Sequence, residues 1–310
     1  MKNLLAVRVA AVVLTLAILG VAVADAQPQG AVEPPLSVRY AKKAKQADDE
    51  MVVGQWYNAL ALRIAGSQAG FRNWQGGGVN SLSMSGGVDG SAAMKSTKVK
   101  QTYEAKLGIG GVSQDNNQLR KSEDVILVST VYQYLAPQGF FKLWQPTIAA
   151  SILTQFIAGY DYKTEGEPKV SDFFSPAYVT QSIGLTREIR PWLSQRFGVA
   201  GKETIVNIAD LRTLYGNTAD QTVRAEGGLE SWTDFEKAVV ENVFIKSSLG
   251  IFGAFSDIGS PDINWSNLVT MKVNNWLNVN FELVTVYDRD VTSDLQVREV
   301  LSVGVLLVII

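Results

Sequence analysis

Hydrophobic and polar residues alternate with a period of two along most of the chain after residue 53. In the clearest stretch, from Val269 to Leu283, nearly every odd position is apolar and nearly every even position is polar. A helix would spread these two sets around its circumference, whereas a strand places them on opposite faces. The pattern therefore predicts an antiparallel all-β protein, in which we interpret Val269 to Leu283 as one continuous strand.

The predicted strands are long for a soluble protein. Strands of soluble sandwiches have about 5–6 residues, whereas a strand that crosses a membrane needs about 9–11. Length therefore favours an up-and-down transmembrane barrel over a soluble sandwich whose polar face meets water. We count eleven strands, but single-chain bacterial barrels have even numbers, so we expect about twelve, with ten as the alternative. The strands are predicted to begin near Val53, Val79, Val99, Asp124, Lys142, Ala177, Leu193, Thr222, Ala238, Leu268 and Leu295.

The predicted connections alternate between short and long, as periplasmic turns and extracellular loops do in outer-membrane barrels. The short ones are Lys95 to Lys98, Arg190 to Trp192 and Trp232 to Lys237. The long ones are Ser67 to Gly78, Ser113 to Glu123, Asp161 to Pro176 and Glu203 to Gln221. Trp56, Trp144, Trp192 and Trp232 are expected at the turn end as an aromatic girdle, with ordinary core positions as the alternative.

The N-terminus has the features of a targeting signal. Lys2 and Arg8 precede an apolar stretch that ends on Ala24-Asp25-Ala26, a small-residue cleavage pattern. An uncleaved anchor is the alternative, although the stretch is short for a core of about 30 Å. We expect residues 1–26 to be a cleaved signal peptide and 27–52 a flexible periplasmic extension, which could serve as a tether or small plug. Residues 53–310 would form the barrel.

The amino-acid composition limits the reactions that the protein could catalyse and the ligands that it could bind. The chain has no histidine and no cysteine, and its formal net charge is −2. Without histidine it lacks the usual proton-transfer group near neutral pH, and without cysteine it lacks a thiolate nucleophile. We therefore expect no enzymatic activity, no catalytic residues, no cofactor and no metal site. The net charge does not indicate a basic surface that would bind nucleic acid.

Two groups of residues are candidates for function. Polar side chains predicted at mid-strand should face the lumen: Glu104, Lys106, Lys272, Asn274 and Glu282. Aromatic and polar residues in two predicted loops could contact a partner: Asn73, Trp74, Phe173 and Phe174.

Several motifs occur in order along the chain: Phe71 to Ser83, Lys121 to Leu127, Thr154 to Tyr162, Ser171 to Tyr178, Glu241 to Leu249, Ile263 to Leu277 and Val286 to Asp290. Together they resemble an outer-membrane barrel family of Bacteroidota type, catalogued as domain of unknown function 3078. The resemblance implies a barrel and brings no functional residues with it. The chain departs from such barrels in ending on Ile310 rather than on an aromatic residue.

We expect a monomer in the outer membrane, in contact with the lipid bilayer and inserted by the barrel-assembly machinery. Its function would be that of a passive or weakly selective pore or carrier. The alternative is a closed structural or interaction barrel whose extracellular loops bind a partner. Residues of low bulk in the lumen would indicate a pore, whereas paired charges and aromatic rings would indicate a closed barrel.

Overall fold

A computed structural model describes residues 51–70, 72, 79–114, 118–162, 164–274 and 276–308. The described chain forms a closed barrel of twelve antiparallel strands, in which each strand pairs with its neighbours in the barrel and the last pairs with the first. This confirms the predicted fold class and the preferred strand number.

The strands are long, as the alternation predicts. Those of the barrel are β1 (Trp56–Ala69), β2 (Ser81–Lys95), β3 (Val99–Gln114), β4 (Arg120–Tyr134), β5 (Gln145–Thr154), β8 (Ala177–Arg190), β9 (Leu193–Ile205), β10 (Val223–Val240), β11 (Val243–Ala254), β12 (Asp262–Lys272), β13 (Leu277–Asp288) and β14 (Thr292–Val308). A separate two-stranded sheet, β6 (Gly159–Tyr160) with β7 (Lys169–Ser171), lies in the connection after β5.

The two ends of the barrel differ. The start of β1 and the end of β14 lie at one end, which we name the turn end; its connections include the two-residue turns at 191–192 and 241–242 and a short helix α1 (Phe140–Leu143). The opposite end, which we name the loop end, carries the long connections 155–176 and 206–222. The second of these contains a 3-10 helix, Ala209–Tyr215.

The predicted continuous strand from Val269 to Leu283 is wrong. The chain turns between Lys272 and Leu277, so the stretch belongs to two strands, β12 and β13. Asn274 lies in this turn, where its side-chain oxygen accepts hydrogen bonds from the backbone N–H groups of Trp276 (3.0 Å) and Leu277 (2.8 Å). Splitting this stretch supplies the twelfth strand that the count of eleven lacked.

Two other predicted boundaries are also wrong. Lys142 does not begin a strand, because it lies in helix α1 and β5 begins at Gln145. The segment from Trp232 to Lys237 is not a connection but part of β10, and β11 begins at Val243 rather than near Ala238. Trp232 therefore lies within a strand and not at the turn end.

The outer face of the barrel is apolar. Large aliphatic side chains point outward and are exposed on strands all around it, among them Ile64, Met84, Val128, Ile183, Val199 and Leu301. Ile183 is the most exposed of these at 69%. Among the described residues, no helix has the length and hydropathy to cross a membrane.

Aromatic rings form contacts near the turn end. Trp56 contacts Tyr103, which contacts Tyr132, with ring centroids 6.1 and 5.9 Å apart. Further round, Trp144 contacts Phe197 and Trp192 contacts Phe235, at 6.0 and 5.4 Å. Three of the four tryptophans expected in a girdle thus lie at the turn end, although Trp192 also lines the lumen. Trp232 does not, for the reason given above.

Candidate functional site

A cavity of about 500 Å³ occupies the lumen on the side of β3 to β11. Inward positions follow from the strand register, because residues paired directly across two strands share a face. Ser182 on β8, for example, pairs with Ala149 on β5 and Ala200 on β9, and all three are buried. The cavity extends to the turn end, where Lys100, Glu188 and Trp192 line it.

One wall of the cavity is built from small side chains. Strands β4, β5, β8 and β9 direct Ser129, Ala149, Ser151, Thr180, Ser182 and Ser194 into it. Thr147 donates a hydrogen bond to Thr186 across the β5–β8 pair at 2.8 Å, so these hydroxyls are partly satisfied within the wall. Low bulk on four neighbouring strands is what leaves the space open.

The facing wall carries charge. Successive inward positions of β10 hold Glu230, Trp232, Asp234 and Glu236. Arg196 Nε lies 3.0 Å from the Glu230 carboxylate, and its guanidinium stands 5.8 Å from the centroid of the Trp232 ring. The ring lies against Gly250 of β11, where an added Cβ would come within 2.6 Å of it. Glycine at this position therefore gives the indole room beside the wall.

A second cluster lies closer to the loop end, and we name it the Lys202 cluster. Its members are Lys202, Arg224, Glu226, Asp262, Asp288 and Asp290. Lys202 Nζ donates a short hydrogen bond to Asp262 and lies 3.9 Å from Glu226 and 3.8 Å from Asp288. Arg224 lies 3.0 Å from Glu226 and 2.5 Å from Asp290.

A third group of charges fills the lumen on the opposite side, around β1. Arg63 donates a hydrogen bond to Asp89 and lies 3.9 Å from Glu123. Glu282 accepts a hydrogen bond from Arg298 at 2.9 Å and lies 3.8 Å from Lys106. The barrel interior thus has one open side and one side occupied by ion pairs.

The connection 206–222 packs over the Lys202 cluster. Arg224 donates a hydrogen bond to the carbonyl of Tyr215 at 3.4 Å, and the Tyr215 hydroxyl donates to the carbonyl of Val170 at 2.7 Å. Burial raises the pKa of the Tyr215 phenol to about 12, so it remains a neutral donor. The connection is therefore joined both to the lumenal charges and to the neighbouring long loop.

The structure places four of the five predicted lumenal residues on the inward face. Lys106 and Glu282 form the ion pair described above, and Glu104 lines the cavity. Lys272 ends β12 on the face that it shares with the buried Thr270. Asn274 is the exception, because it belongs to the β12–β13 turn.

Phe173 and Phe174 form the tip of a tight turn in the connection 155–176. Asp172 and Ser175 exchange backbone hydrogen bonds of 2.9 Å around it, and the two rings lie 4.8 Å apart. A hydrogen bond from Lys169, at 2.7 Å, lowers the pKa of the Asp172 carboxyl. Phe173 is exposed, as a partner-binding residue requires. The other two candidate loop residues, Asn73 and Trp74, lie outside the described residues.

The charged residues that shape the cavity were not identified from the sequence. Among them are Lys202, Arg196 and Glu230. The alternation along β9 and β10 predicts that these side chains face the lumen. It does not predict their partners, because Lys202 and Asp262 lie three strands apart around the barrel.

Residues 67–160 match the family described as "Protein of unknown function (DUF3078)". This match confirms the resemblance to domain of unknown function 3078. The motifs Phe71 to Ser83 and Lys121 to Leu127 lie within the DUF3078 match, and Thr154 to Tyr162 reaches its end. A comparison with curated protein sequences gives no significant match.

Among solved structures, the chain is similar to the translocator domain of the autotransporter NalP from Neisseria meningitidis, with 12% identity over 87% of this chain and 94% of that chain, and a TM-score of 0.36. It is also similar to an outer membrane channel from Pseudomonas putida F1, with 9% identity over 84% of this chain and 97% of that chain, and a TM-score of 0.39. At TM-scores below 0.5, these similarities add nothing to the fold or function argued from the structure itself.

Proposed function

We propose that the protein is an outer-membrane barrel that conducts or carries small polar solutes with weak selectivity. The observation that carries this proposal is the cavity of about 500 Å³ between the small-residue wall and the β10 wall. Pockets of about 300–1,000 Å³ accommodate small molecules. Hydroxyl groups on one side and charged groups on the other suit a hydrated solute better than an apolar one.

The outer surface supports a membrane location. An apolar face about 25 Å tall, flanked by aromatic rings, is typical of transmembrane barrels. Here exposed aliphatic residues surround the barrel, and the Trp56, Tyr103 and Tyr132 contacts lie at the turn end. In water such a surface would be costly, at about 25 cal/mol per Å² of apolar area. We further propose that residues 1–26 direct export and that the barrel-assembly machinery inserts the chain.

The lining of the cavity supports weak rather than strong selectivity. Five carboxylates line it, those of Glu104, Glu188, Glu230, Asp234 and Glu236, against four cations, Lys100, Arg190, Arg196 and Lys237. Two of these cations are held in ion pairs, Lys100 with Glu188 at 2.7 Å and Arg196 with Glu230 at 3.0 Å. The carboxylate excess favours cations, whereas the pairing limits the field that a solute meets.

A closed structural or interaction barrel is the second candidate. It is favoured by the ion pairs that cross the lumen around Arg63 and Lys202 and by the exposed Phe173 at the loop end. On this view the cavity is enclosed space, and function resides in the loops.

Conductance of the purified protein in a planar bilayer separates the two candidates. Steady conductance, with a gel band that shifts on boiling, supports the pore. A shifting band with no conductance and no uptake of small polar solutes by liposomes supports the closed barrel.

A matched pair of variants tests whether current passes through the described cavity. Ser151→Phe adds a ring to the small-residue wall, whereas Ile152→Phe adds one to the outer face of the same strand. We expect conductance to fall by at least about tenfold in the first and to change little in the second, because only the first fills space within the lumen. Equal effects in the two folded variants would rule out this path.

A further inference from the structure

We propose that Lys202 is the constriction residue of the lumen, which closes the cavity toward the loop end and sets its ion selectivity. This inference rests on the proposed function, because selectivity has meaning only for a solute that passes. It follows from the position, the contacts and the charge of Lys202.

The strand register places Lys202 at the edge of the cavity nearer the loop end, where it pairs with the cavity-lining Thr180 of β8. Lys202 pairs with Glu226 on β10, whereas the cavity-lining Glu230 pairs with Gly198. Strand β10 runs from the loop end toward the turn end, so Glu226 and Lys202 lie closer to the loop end than Glu230 does. A solute that moves from the cavity toward the loops therefore meets Lys202 next.

The contacts of Lys202 span the lumen rather than follow the wall. Its side chain starts on β9 and reaches Asp262 on β12 and Asp288 on β13. The rings of Tyr178 and Phe252 lie 5.9 and 5.5 Å from its ammonium group. Lys202 is 8% exposed although it points into the barrel, so these groups surround it.

The Lys202 cluster has an excess of negative charge. Lys202 and Arg224 contribute two positive charges, and Glu226, Asp262, Asp288 and Asp290 contribute four negative charges, which leaves −2. A cation that displaces the ammonium group finds carboxylates already in place, whereas an anion meets net repulsion. The passage should therefore prefer cations, and removal of Lys202 should strengthen that preference.

Arg224 has a different role in the same cluster. Besides its two carboxylates, it contacts the carbonyl of Tyr215 in the covering connection. The contacts of Lys202 described above are all with residues of barrel strands. Replacing Lys202 therefore alters the passage without releasing the connection, which makes it the better position to test.

The experiment compares the wild type with Lys202→Met and Lys106→Met in planar bilayers, in a KCl gradient. Lys106 is the matched control because it also faces inward and pairs with a carboxylate, but it does not line the cavity. For Lys202→Met we expect conductance and the K⁺/Cl⁻ permeability ratio each to rise about fivefold. That is the factor expected for removing one charge about 4 Å from a permeating ion in water-like surroundings. Folded Lys106→Met should keep the wild-type conductance and permeability ratio, and the loss of its ion pair with Glu282 should show only in the thermal stability of the barrel.

A second variant tests the charge argument separately and also serves if Lys202→Met fails to fold. Lys202→Met with Asp262→Asn removes the ammonium group but keeps the cluster at −2, since Arg224 then faces three carboxylates. Conductance should rise while the permeability ratio stays near that of the wild type. A conducting wild type with unchanged conductance in both folded variants would overturn the inference and leave the proposed function standing. A wild type that does not conduct, together with a Lys202→Met variant that does, would overturn the proposed function and support the inference, because the wild-type barrel would then be closed at Lys202.

Discussion

Gly184 lies on β8 where the neighbouring strand leaves no room for a side chain. An added Cβ would come within 2.0 Å of the carbonyl oxygen of Phe197, a backbone atom that cannot rotate away. We therefore expect Gly184→Ala to lower the free energy of unfolding by about 1–3 kcal/mol, as overpacking does in well-packed sites. The measurement is the temperature at which the folded gel band is lost on heating.

Gly201 provides the control for this prediction. It lies on β9, the strand that pairs with β8, and the nearest atoms to an added Cβ are 3.8 and 4.0 Å away. Gly201→Ala should melt within experimental error of the wild type. If both variants melted together, close approach of the strands would not be the cause.

Asn274 shows how a single side chain defines an element, the β12–β13 hairpin. Its oxygen accepts two backbone N–H groups in the turn, so Asn274→Ala leaves both without this partner. We expect a loss of about 1 kcal/mol in stability, the usual net value of a hydrogen bond at a partly solvated site. Asn274→Asp keeps the acceptor and should restore most of that loss. Equal stability of all three proteins in a thermal gel-shift series would contradict the assigned role.

The same hairpin shows what the sequence could and could not predict. Alternation assigned the inward faces of β3, β12 and β13, so Glu104, Lys106, Lys272 and Glu282 were found. It failed at the turn because an even number of residues separates Lys272 from Leu277, so the apolar parity of β12 carries on into β13 although Asn275 and Trp276 break the alternation. It also could not show that Lys202 meets Asp262, because that contact depends on how far the strands shift around the closed barrel. Sequence periodicity describes one strand at a time, whereas the cavity is formed by seven neighbouring strands, β3 to β5 and β8 to β11.

The chain has no cysteine, so a single introduced thiol can test which face of the barrel meets water and which meets lipid. Ser194→Cys places a thiol in the cavity, and Val199→Cys places one on the outer face, where Val199 is 55% exposed. In liposomes we expect a water-soluble maleimide to label the first at least about ten times faster, because the reaction needs a hydrated thiolate. In denaturant both should label at similar rates. Faster labelling of Val199→Cys in liposomes would place the aliphatic face in water and contradict the membrane location.

The barrel is closed by the pairing of β1 with β14, which is its shortest strand pair among the described residues; we call this pair the joint. Among the described residues, β14 pairs with β1 over six positions, from Ala61 to Gly66, whereas β1 pairs with β2 over fourteen. The ion pair between Lys106 and Glu282 spans this joint, because β3 and β13 lie on opposite sides of it. Between β1 and β14, an ion pair therefore supplies part of the stabilisation that backbone hydrogen bonds provide between other strands. Salt weakens ion pairs more than it weakens backbone hydrogen bonds. A barrel of this construction loosens first by parting there, and in doing so it becomes a curled sheet with two free edges.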